Sequence, residues 1–172
     1  LSKIRIAKMK TRLPEQKIHC DNWIAGRWQK GLLGKQEVIS PYSGNVIGDI
    51  TLPNEDQISE ALESAAKAQL EWRTFPIKER SKILYEFRQI LLTELDEISH
   101  LKSAECGKTF EEAKAGLLKG IEVLEYALSI QNLDLGGKLE VSRGVYCEYR
   151  REPLGVVASI TPFNFPAMVP MW

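Results

Sequence analysis

A carboxamide in a tight loop is the clearest candidate for chemistry in this sequence. Asn164 stands in the run TPFNFP at residues 161–166, between two aromatic residues and two prolines. The apolar run at residues 156–160 before it is typical of a strand buried on both faces of a parallel sheet. Pro166 suits the first turn of a following helix. Because open α/β sheets bind ligands at the carboxyl ends of their strands, Asn164 is predicted to face a ligand site.

The side chain of Asn164 suits the stabilisation of developing negative charge. A carboxamide NH2 group donates hydrogen bonds without titrating, and removing one preorganised donor typically costs about 2.7 to 4 kcal/mol of transition-state stabilisation. On residue type alone, a second interpretation stays open. In it, Asn164 only satisfies backbone groups in a strand-to-helix loop.

The other reactive residue types give no catalytic constellation. Cys106 lies at a predicted helix C-terminus, where the negative end of the helix dipole raises a thiol pKa. Cys147 lies in a predicted strand and Cys20 in a predicted hairpin. The sequence therefore predicts no cysteine nucleophile, no Ser-His triad and no metal site.

Composition excludes several function classes. The 172 residues carry 23 Lys and Arg against 23 Asp and Glu, so the formal net charge is zero and no basic field for nucleic acid is expected. No apolar run approaches the roughly 18 residues of a membrane helix. The three cysteines indicate reduced thiols in the cytoplasm, or in the mitochondrial matrix of a eukaryote. Residues 1–17 form either a solvated basic arm or the tail of an import peptide.

Three helical segments precede the loop. A hairpin over residues 17–28, a turn at residues 40–45 and a strand at residues 46–52 come first. The capping box at Asn54 opens a helix over residues 55–72, and Pro76 opens a second that continues or restarts to Cys106, with Gly107 as its cap. Thr109 opens a third, in which Gly116 and Gly120 indicate a closely packed neighbour. The predicted buried stripes are Ile58, Ala61, Leu62, Ala65, Gln69 and Trp72, and then Ile77, Ile83, Leu84, Phe87, Ile90, Leu91 and Leu95.

A strand is predicted after the break at residues 136–137. Residues 140–151 alternate, with Val145, Cys147 and Tyr149 on one face and Tyr146, Glu148 and Arg150 on the other. A single strand of this kind leaves unpaired N–H and C=O groups. It is therefore expected to need a partner.

The runs REPLGVV at residues 151–157 and ITPFNFP at residues 160–166 resemble the signature around the first Rossmann strand of the NAD(P)-dependent aldehyde dehydrogenases. The continuation FNFPAMVPMW most resembles the methylmalonate-semialdehyde dehydrogenases, which form acyl-CoA. The resemblance extends from about Trp23 onward. It implies an incomplete α/β fold: the hairpin and helices of a Rossmann-type cofactor domain at residues 1–137, a bridging oligomerisation strand at 138–152, and the first Rossmann strand with the start of a helix at 153–172.

The same resemblance implies a reaction. Asn164 matches the oxyanion-binding Asn of the family, and Ile160, Thr161, Pro162 and Phe163 match the lining of the nicotinamide end of the cofactor. An NAD-dependent oxidation of an aldehyde or semialdehyde to an acid or acyl-CoA through a thiohemiacetal is expected, with CoA as co-substrate. NADP stays an alternative, because no Gly-x-Gly-x-x-Gly fingerprint is present and the further cofactor contacts are expected after Trp172, with the nucleophilic Cys and the general-base Glu.

Substrate and assembly are expected from the same likeness. Lys119 stands where the methylmalonate-semialdehyde dehydrogenases use Arg to hold the substrate carboxylate, and a lysine lacks the planar bidentate fork. Residues 140–151 match a sheet that reaches into a neighbouring subunit, so a homo-oligomer, dimer or tetramer, is expected. The 172 residues alone are expected to be inactive. The alternative function is that of a truncated, non-catalytic subunit that acts only in assembly.

Overall fold

A computed structural model describes residues 17–132 and 136–172 of the chain. The predicted basic arm or import peptide at residues 1–17 lies outside these ranges, apart from Lys17. Within the described residues, no helix has the length and apolar character that crossing a membrane requires.

Short strands form the first part of the fold. Strand β1 (Ile18–Cys20) runs parallel to β5 (Val46–Leu52), which pairs antiparallel with β4 (Gly34–Ile39), so the order is β1-β5-β4. Strands β2 (Asn22–Ile24) and β3 (Arg27–Gln29) form a separate hairpin in which Trp23 lies opposite Trp28. The hairpin and the strand after the 40–45 turn are confirmed.

The helices begin and end where their caps predict. Helix α1 (Glu55–Trp72) begins with the capping box of Asn54, and α4 (Phe110–Leu128) with that of Thr109. The second predicted helix restarts, as α2 (Ile77–Thr93) and α3 (Leu95–Cys106), and α3 ends at Gly107 with a left-handed φ of 68°. Short 3-10 helices follow at Ser129–Asn132 and Val169–Met171.

Helix α4 carries the core. Its fully or nearly buried leucine and isoleucine side chains pack with Leu91 of α2 and with the segment after the Asn164 loop. The buried residues of this cluster are Leu91, Leu117, Ile121, Leu124 and Leu128. Each such side chain contributes about 1.5 to 3 kcal/mol through its removal from water. The close packing predicted at Gly120 is confirmed, because a Cβ there would lie 3.1 Å from Met168 Cα.

The predicted buried stripes of α1 and α2 are mostly exposed. Leu62 on α1 is 58% exposed and Ile90 on α2 is 48% exposed, whereas Leu91 is buried. Helical periodicity identifies a face that favours burial but does not identify what covers it. Among the described residues, no element covers most of these two faces.

The strand predicted over residues 140–151 is a hairpin. Strand β6 (Gly137–Ser142) pairs antiparallel with β7 (Val145–Tyr149), and the turn between them contains Gly144 with φ of 73°. The single-strand prediction is wrong because alternation continues across a two-residue turn without a visible break. The partner that the strand needs is therefore β6 of the same chain.

Residues 156–160 differ from the predicted buried strand. They form no ladder with any described strand, and Ile160 is 98% exposed. The residues after Pro166 form turns and the Val169–Met171 3-10 helix, not a regular α-helix. A parallel strand is fixed by hydrogen bonds to its neighbours, and no described strand lies alongside this segment.

Candidate functional site

Asn164 occupies the centre of a β-turn. The N–H of Phe165 donates to the carbonyl oxygen of Pro162 at 3.2 Å, so Phe163 and Asn164 are the two central residues. The carbonyl of Phe165 then accepts from the N–H of Val169 at 3.3 Å, which joins the turn to the short 3-10 helix. The carbonyl oxygens of Phe163 and Asn164 and the Asn164 side chain point away from the turn and can bind other groups.

The connection between α3 and α4 faces this turn. Gly107 ends α3, and its N–H donates to the carbonyl oxygen of Ser103 at 3.0 Å. The Ser103 hydroxyl donates to the carbonyl oxygen of Lys108 at 2.6 Å. Thr109 begins α4 directly afterwards, with its hydroxyl accepting from the N–H of Glu112 at 3.3 Å. The backbone of Lys108 is thus fixed between two helix ends.

Side chains of this connection hold both central carbonyls of the turn. The Cys106 thiol donates to the carbonyl oxygen of Phe163 at 3.5 Å. The Lys108 ammonium donates to the carbonyl oxygen of Asn164 at 2.6 Å and lies 4.2 Å from the ring centroid of Phe165. The short donor distance is typical of a charge-assisted hydrogen bond, and the ring contact adds a cation–π attraction.

The carboxamide of Asn164 is exposed and makes no hydrogen bond with any other described residue. Its main-chain carbonyl, in contrast, accepts from Lys108. The side chain is thus not engaged in satisfying the backbone of its own loop within the described ranges. This arrangement leaves the two donor hydrogens of the carboxamide available to a ligand.

The residues expected to line the nicotinamide site lie directly before Asn164. Ile160 and Phe163 are 98% and 89% exposed, Pro162 is exposed, and Thr161 is partly buried. Together with Asn164 they form an open, mostly apolar strip and not an enclosed pocket.

Lys119, the expected substrate contact, lies on α4. Its ammonium binds the Glu122 carboxylate at 2.7 Å, and the lysine side chain is 58% exposed. The next residue, Gly120, packs against Met168 and Met171, which follow the Asn164 loop in sequence. The described contacts of Lys119 stay within α4.

None of the three cysteines has the surroundings of a nucleophile. Burial, and next the Glu105 carboxylate, raise the pKa of the Cys106 thiol above its usual range. The direction agrees with the prediction, but its causes are burial and the Glu105 charge and not the helix terminus. Cys20 and Cys147 are exposed and unpaired in disulfides. Within residues 17–132 and 136–172, no cluster of His, Cys, Asp and Glu could hold a metal ion.

The contact of Lys108 with the Asn164 carbonyl was not predicted from the sequence. Lys108 is separated from Asn164 by 56 residues. The run ECGK at residues 105–108 resembles a helix terminus of the aldehyde dehydrogenases, and this resemblance indicates only a structural role. That resemblance is the one signal in the sequence that could have directed attention to this lysine.

Comparisons with known proteins identify relatives. The model of the Aldehyde dehydrogenase family matches residues 28–172. Malonate-semialdehyde dehydrogenase 2 of Geobacillus thermodenitrificans (strain NG80-2) is 37% identical over 153 residues, which cover 88% of this chain and 32% of that protein. Malonate-semialdehyde dehydrogenase 3 of Geobacillus kaustophilus (strain HTA426) is 39% identical over 157 residues, with the same shares covered.

Solved structures show the same likeness. A Sinorhizobium meliloti 1021 protein, assigned as a methylmalonate-semialdehyde dehydrogenase and solved with NAD, gives a TM-score of 0.86 at 32% identity. The match covers 92% of this chain and 33% of that one. The methylmalonate-semialdehyde dehydrogenase of Oceanimonas doudoroffii gives 0.82 at 34% identity, covering 87% and 31%. The chain therefore spans about a third of the length of these relatives and has the N-terminal part of their α/β fold.

Proposed function

The chain belongs to the aldehyde dehydrogenase family, and from this premise we propose that the whole protein oxidises a semialdehyde with NAD, using Asn164 to bind the oxyanion. One observation carries the role of Asn164. Its carboxamide is exposed and unbonded among the described residues, while the peptide groups on both sides of it are held. The backbone that carries this donor is held in place, and its donor hydrogens are left for a charge that appears only during reaction.

The proposed chemistry is the addition of a thiolate to the aldehyde carbonyl. The sulfur forms a bond to the carbonyl carbon, and the π electrons of the C=O bond move to oxygen, which becomes the oxyanion. The Asn164 NH2 group donates to that oxygen. When the C=O bond re-forms, the hydrogen of the aldehyde carbon leaves as hydride, and a thioester results. Bound NAD supplies the acceptor for the hydride.

Residues 160–163 would hold the nicotinamide beside this reaction. The apolar, exposed side chains of Ile160, Pro162 and Phe163 suit contact with the face of a flat ring and leave Asn164 at one end of the strip. Support for NAD comes from the Sinorhizobium meliloti relative, which was solved with NAD. The nucleophile belongs to another part of the protein in this proposal, because burial raises the pKa of Cys106 and its thiol is directed at a backbone carbonyl.

We propose malonate semialdehyde or its methyl derivative as the substrate, and CoA as the acceptor of the acyl group. The names of the related dehydrogenases support this class of substrate. Lys119 would bind the substrate carboxylate as a point charge, after releasing the Glu122 carboxylate that it binds in this structure. Lys119→Met should therefore raise KM for the carboxylated substrate and leave KM for propanal unchanged.

The proposed function is tested with the full-length protein. NADH formation is measured with malonate semialdehyde and with propanal, with NAD and with NADP, and in the presence and absence of CoA. The proposal predicts that NAD supports turnover, that the semialdehyde is preferred and that CoA consumption equals NADH formation. Absence of NAD reduction with every aldehyde would refute it, whereas turnover with propanal alone would refute only the substrate assignment.

We also propose that the β6–β7 hairpin joins this chain to a second copy. Leu139, Tyr146 and Tyr149 are all more than half exposed, although large apolar side chains of this kind favour burial. A Tyr146→Glu variant should shift the mass measured by light scattering toward the monomer. If the wild-type chain assembles but the full-length protein reduces no cofactor, the alternative role in assembly alone is favoured.

A further inference from the structure

We infer that Lys108 is a positioning residue that sets the direction of the Asn164 carboxamide, an inference that rests on the function proposed above. The Lys108 side chain does not touch the reacting atoms. Its effect passes through the backbone of the turn at residues 162–165, where the structure shows its contacts.

The peptide group that joins Asn164 to Phe165 is bound at both of its polar groups. Its carbonyl oxygen accepts from the Lys108 ammonium at 2.6 Å. Its N–H donates to the carbonyl oxygen of Pro162 at 3.2 Å. Because both polar groups of one planar peptide are bound, its orientation is fixed, and with it the ψ angle of Asn164.

The peptide group on the other side of Asn164 is held more weakly. The carbonyl oxygen of Phe163 accepts from the Cys106 thiol at 3.5 Å, and a thiol is a weak donor. The φ angle of Asn164 is therefore constrained from the same helix terminus. Since φ and ψ together set the direction of the Cα–Cβ bond, the α3–α4 connection sets the position and direction from which the carboxamide extends.

The backbone that carries Lys108 is itself held in place. The φ of Gly107 is 68°, a conformation in which a side chain is strained, and a Cβ there would lie 3.0 Å from Pro41 Cγ. The Ser103 hydroxyl binds the Lys108 carbonyl at 2.6 Å. The ammonium thus extends from a backbone that cannot easily shift, and its contact with the Phe165 ring at 4.2 Å limits its sideways movement.

The structure also offers a matched control. Lys114 on α4 likewise combines a polar contact, to the Asp96 carboxylate at 2.7 Å, with a ring contact, 5.6 Å from the Phe110 centroid. None of these partners belongs to the turn at residues 162–165. Lys114→Met therefore removes a comparable cation with comparable contacts and leaves the Asn164 loop untouched.

The test compares variants of the full-length protein in a single turnover with NAD and malonate semialdehyde, so that hydride transfer is observed and product release is not. Because misplacing a catalytic group by about 1 Å can cost about 10²-fold, Lys108→Met should slow NADH formation by about 10- to 100-fold. NAD affinity, measured by fluorescence titration, should change less than about twofold, since the lysine does not bind the cofactor. Lys108→Arg should restore most of the rate, because a guanidinium also donates and stacks on a ring.

A double-mutant cycle separates positioning from a general structural role. Once Asn164→Ala has removed the carboxamide, Lys108→Met has nothing left to position and should cost less than about a further twofold. Lys114→Met should leave the rate unchanged both in the wild type and in Asn164→Ala. If Lys108→Met does not fold, Lys108→Gln provides the same cycle with a shorter, neutral side chain.

The outcomes distinguish the two claims. If Asn164→Ala slows the first turnover but Lys108→Met does not, the positioning role is wrong and the proposed function stands. If Lys108→Met slows the first turnover of Asn164→Ala by the same factor as it slows the wild type, the lysine acts independently of the carboxamide and the inference is overturned. If Asn164→Ala itself leaves the rate unchanged, the oxyanion role fails, and the positioning role fails with it.

Discussion

Replacing Lys102 by methionine should stabilise this protein. The lysine lies on α3, its side chain faces α4, and it is 3% exposed. Its ammonium donates to the carbonyl oxygen of Ala113 at 3.2 Å and lies 2.5 Å from where a Cβ on Gly116 would be. No described carboxylate forms an ion pair with it. The Ala113 carbonyl is also placed to accept from its own helix, so it is not orphaned when the ammonium is removed.

The size of the effect follows from two opposed contributions. Burial of an ammonium costs several kcal/mol, and a hydrogen bond from a charged group returns about 1.5 to 3 kcal/mol. Methionine keeps the unbranched apolar stem in place of the lysine's methylene groups, so little packing is lost. A net gain of about 1 to 3 kcal/mol is expected for Lys102→Met, at about 2 to 4 °C in Tm per kcal/mol for a chain of this size.

The gain should depend on pH. Burial, and next the positive charge of Lys108, lower the pKa of Lys102 below its ordinary value of 10.5. Between the lowered folded-state pKa and 10.5, the unfolded state binds more protons, so wild-type stability rises with pH. Lys102→Met lacks this rise, and its advantage should be largest at neutral pH and smaller at pH values approaching 10.5.

Lys114→Met is the control for this prediction. The Asp96 carboxylate raises the pKa of Lys114, so its contribution is complete below 10.5 and is lost as pH rises through the raised folded-state value. Thermal unfolding of the wild type and both variants is measured at neutral pH and near pH 10. A lower Tm for Lys102→Met at neutral pH, or an equal gain at both pH values, would contradict the reasoning.

Three further predictions concern the core, the sheet and the loop contact. Leu117→Ala should lower the free energy of unfolding by about 2 to 5 kcal/mol in denaturant titrations, whereas Leu118→Ala, at a 39% exposed position, should cost much less. A hydrogen bond from His19 lowers the pKa of Asp49. The stabilisation that the Asp49 carboxylate contributes is therefore present above pH 3.8 and is lost as pH falls through the lowered folded-state pKa. In Asp49→Asn, the unfolding free energy should depend less on pH in this acid range. Gly120→Val should overpack the contact of α4 with the segment after the loop. It should lower the free energy of unfolding by about 1 to 3 kcal/mol, which is measured as a lower Tm.

Local signals predicted the helices well. The capping boxes at Asn54 and Thr109 each involve a side chain and a backbone group three residues apart, so the sequence contains the whole interaction. The left-handed cap at Gly107 is equally local. The same reasoning predicted a close neighbour at Gly120, because a glycine in a helix interior costs about 1 kcal/mol against Ala and close packing is the usual reason for it.

Long-range features were predicted less well. The apolar run at residues 156–160 indicates a tendency to be buried, but a strand exists only where another strand pairs with it. Ile160 is almost fully exposed because no described element lies on it. The exposed stripes of α1 and α2 have the same explanation, since periodicity records a preference for burial and not the partner.

The candidate site shows the same division. Asn164 was predicted to be a site residue from its surroundings of two aromatics and two prolines and from the family resemblance. The contact of Lys108 with the Asn164 carbonyl depends on how α3 and α4 pack and on where the chain returns 56 residues later. Neither residue's local sequence contains that information, so the structure was needed to find it.

The first-turnover rate of Asn164→Ala shows whether the carboxamide of Asn164 stabilises the oxyanion. In the full-length protein, loss of one preorganised donor should slow NADH formation from malonate semialdehyde by about 10²- to 10³-fold. NAD affinity should stay nearly constant, because the carboxamide acts on the oxyanion and not on the ground-state complex. An unchanged first-turnover rate, with hydride transfer shown to be limiting, would contradict the role of Asn164.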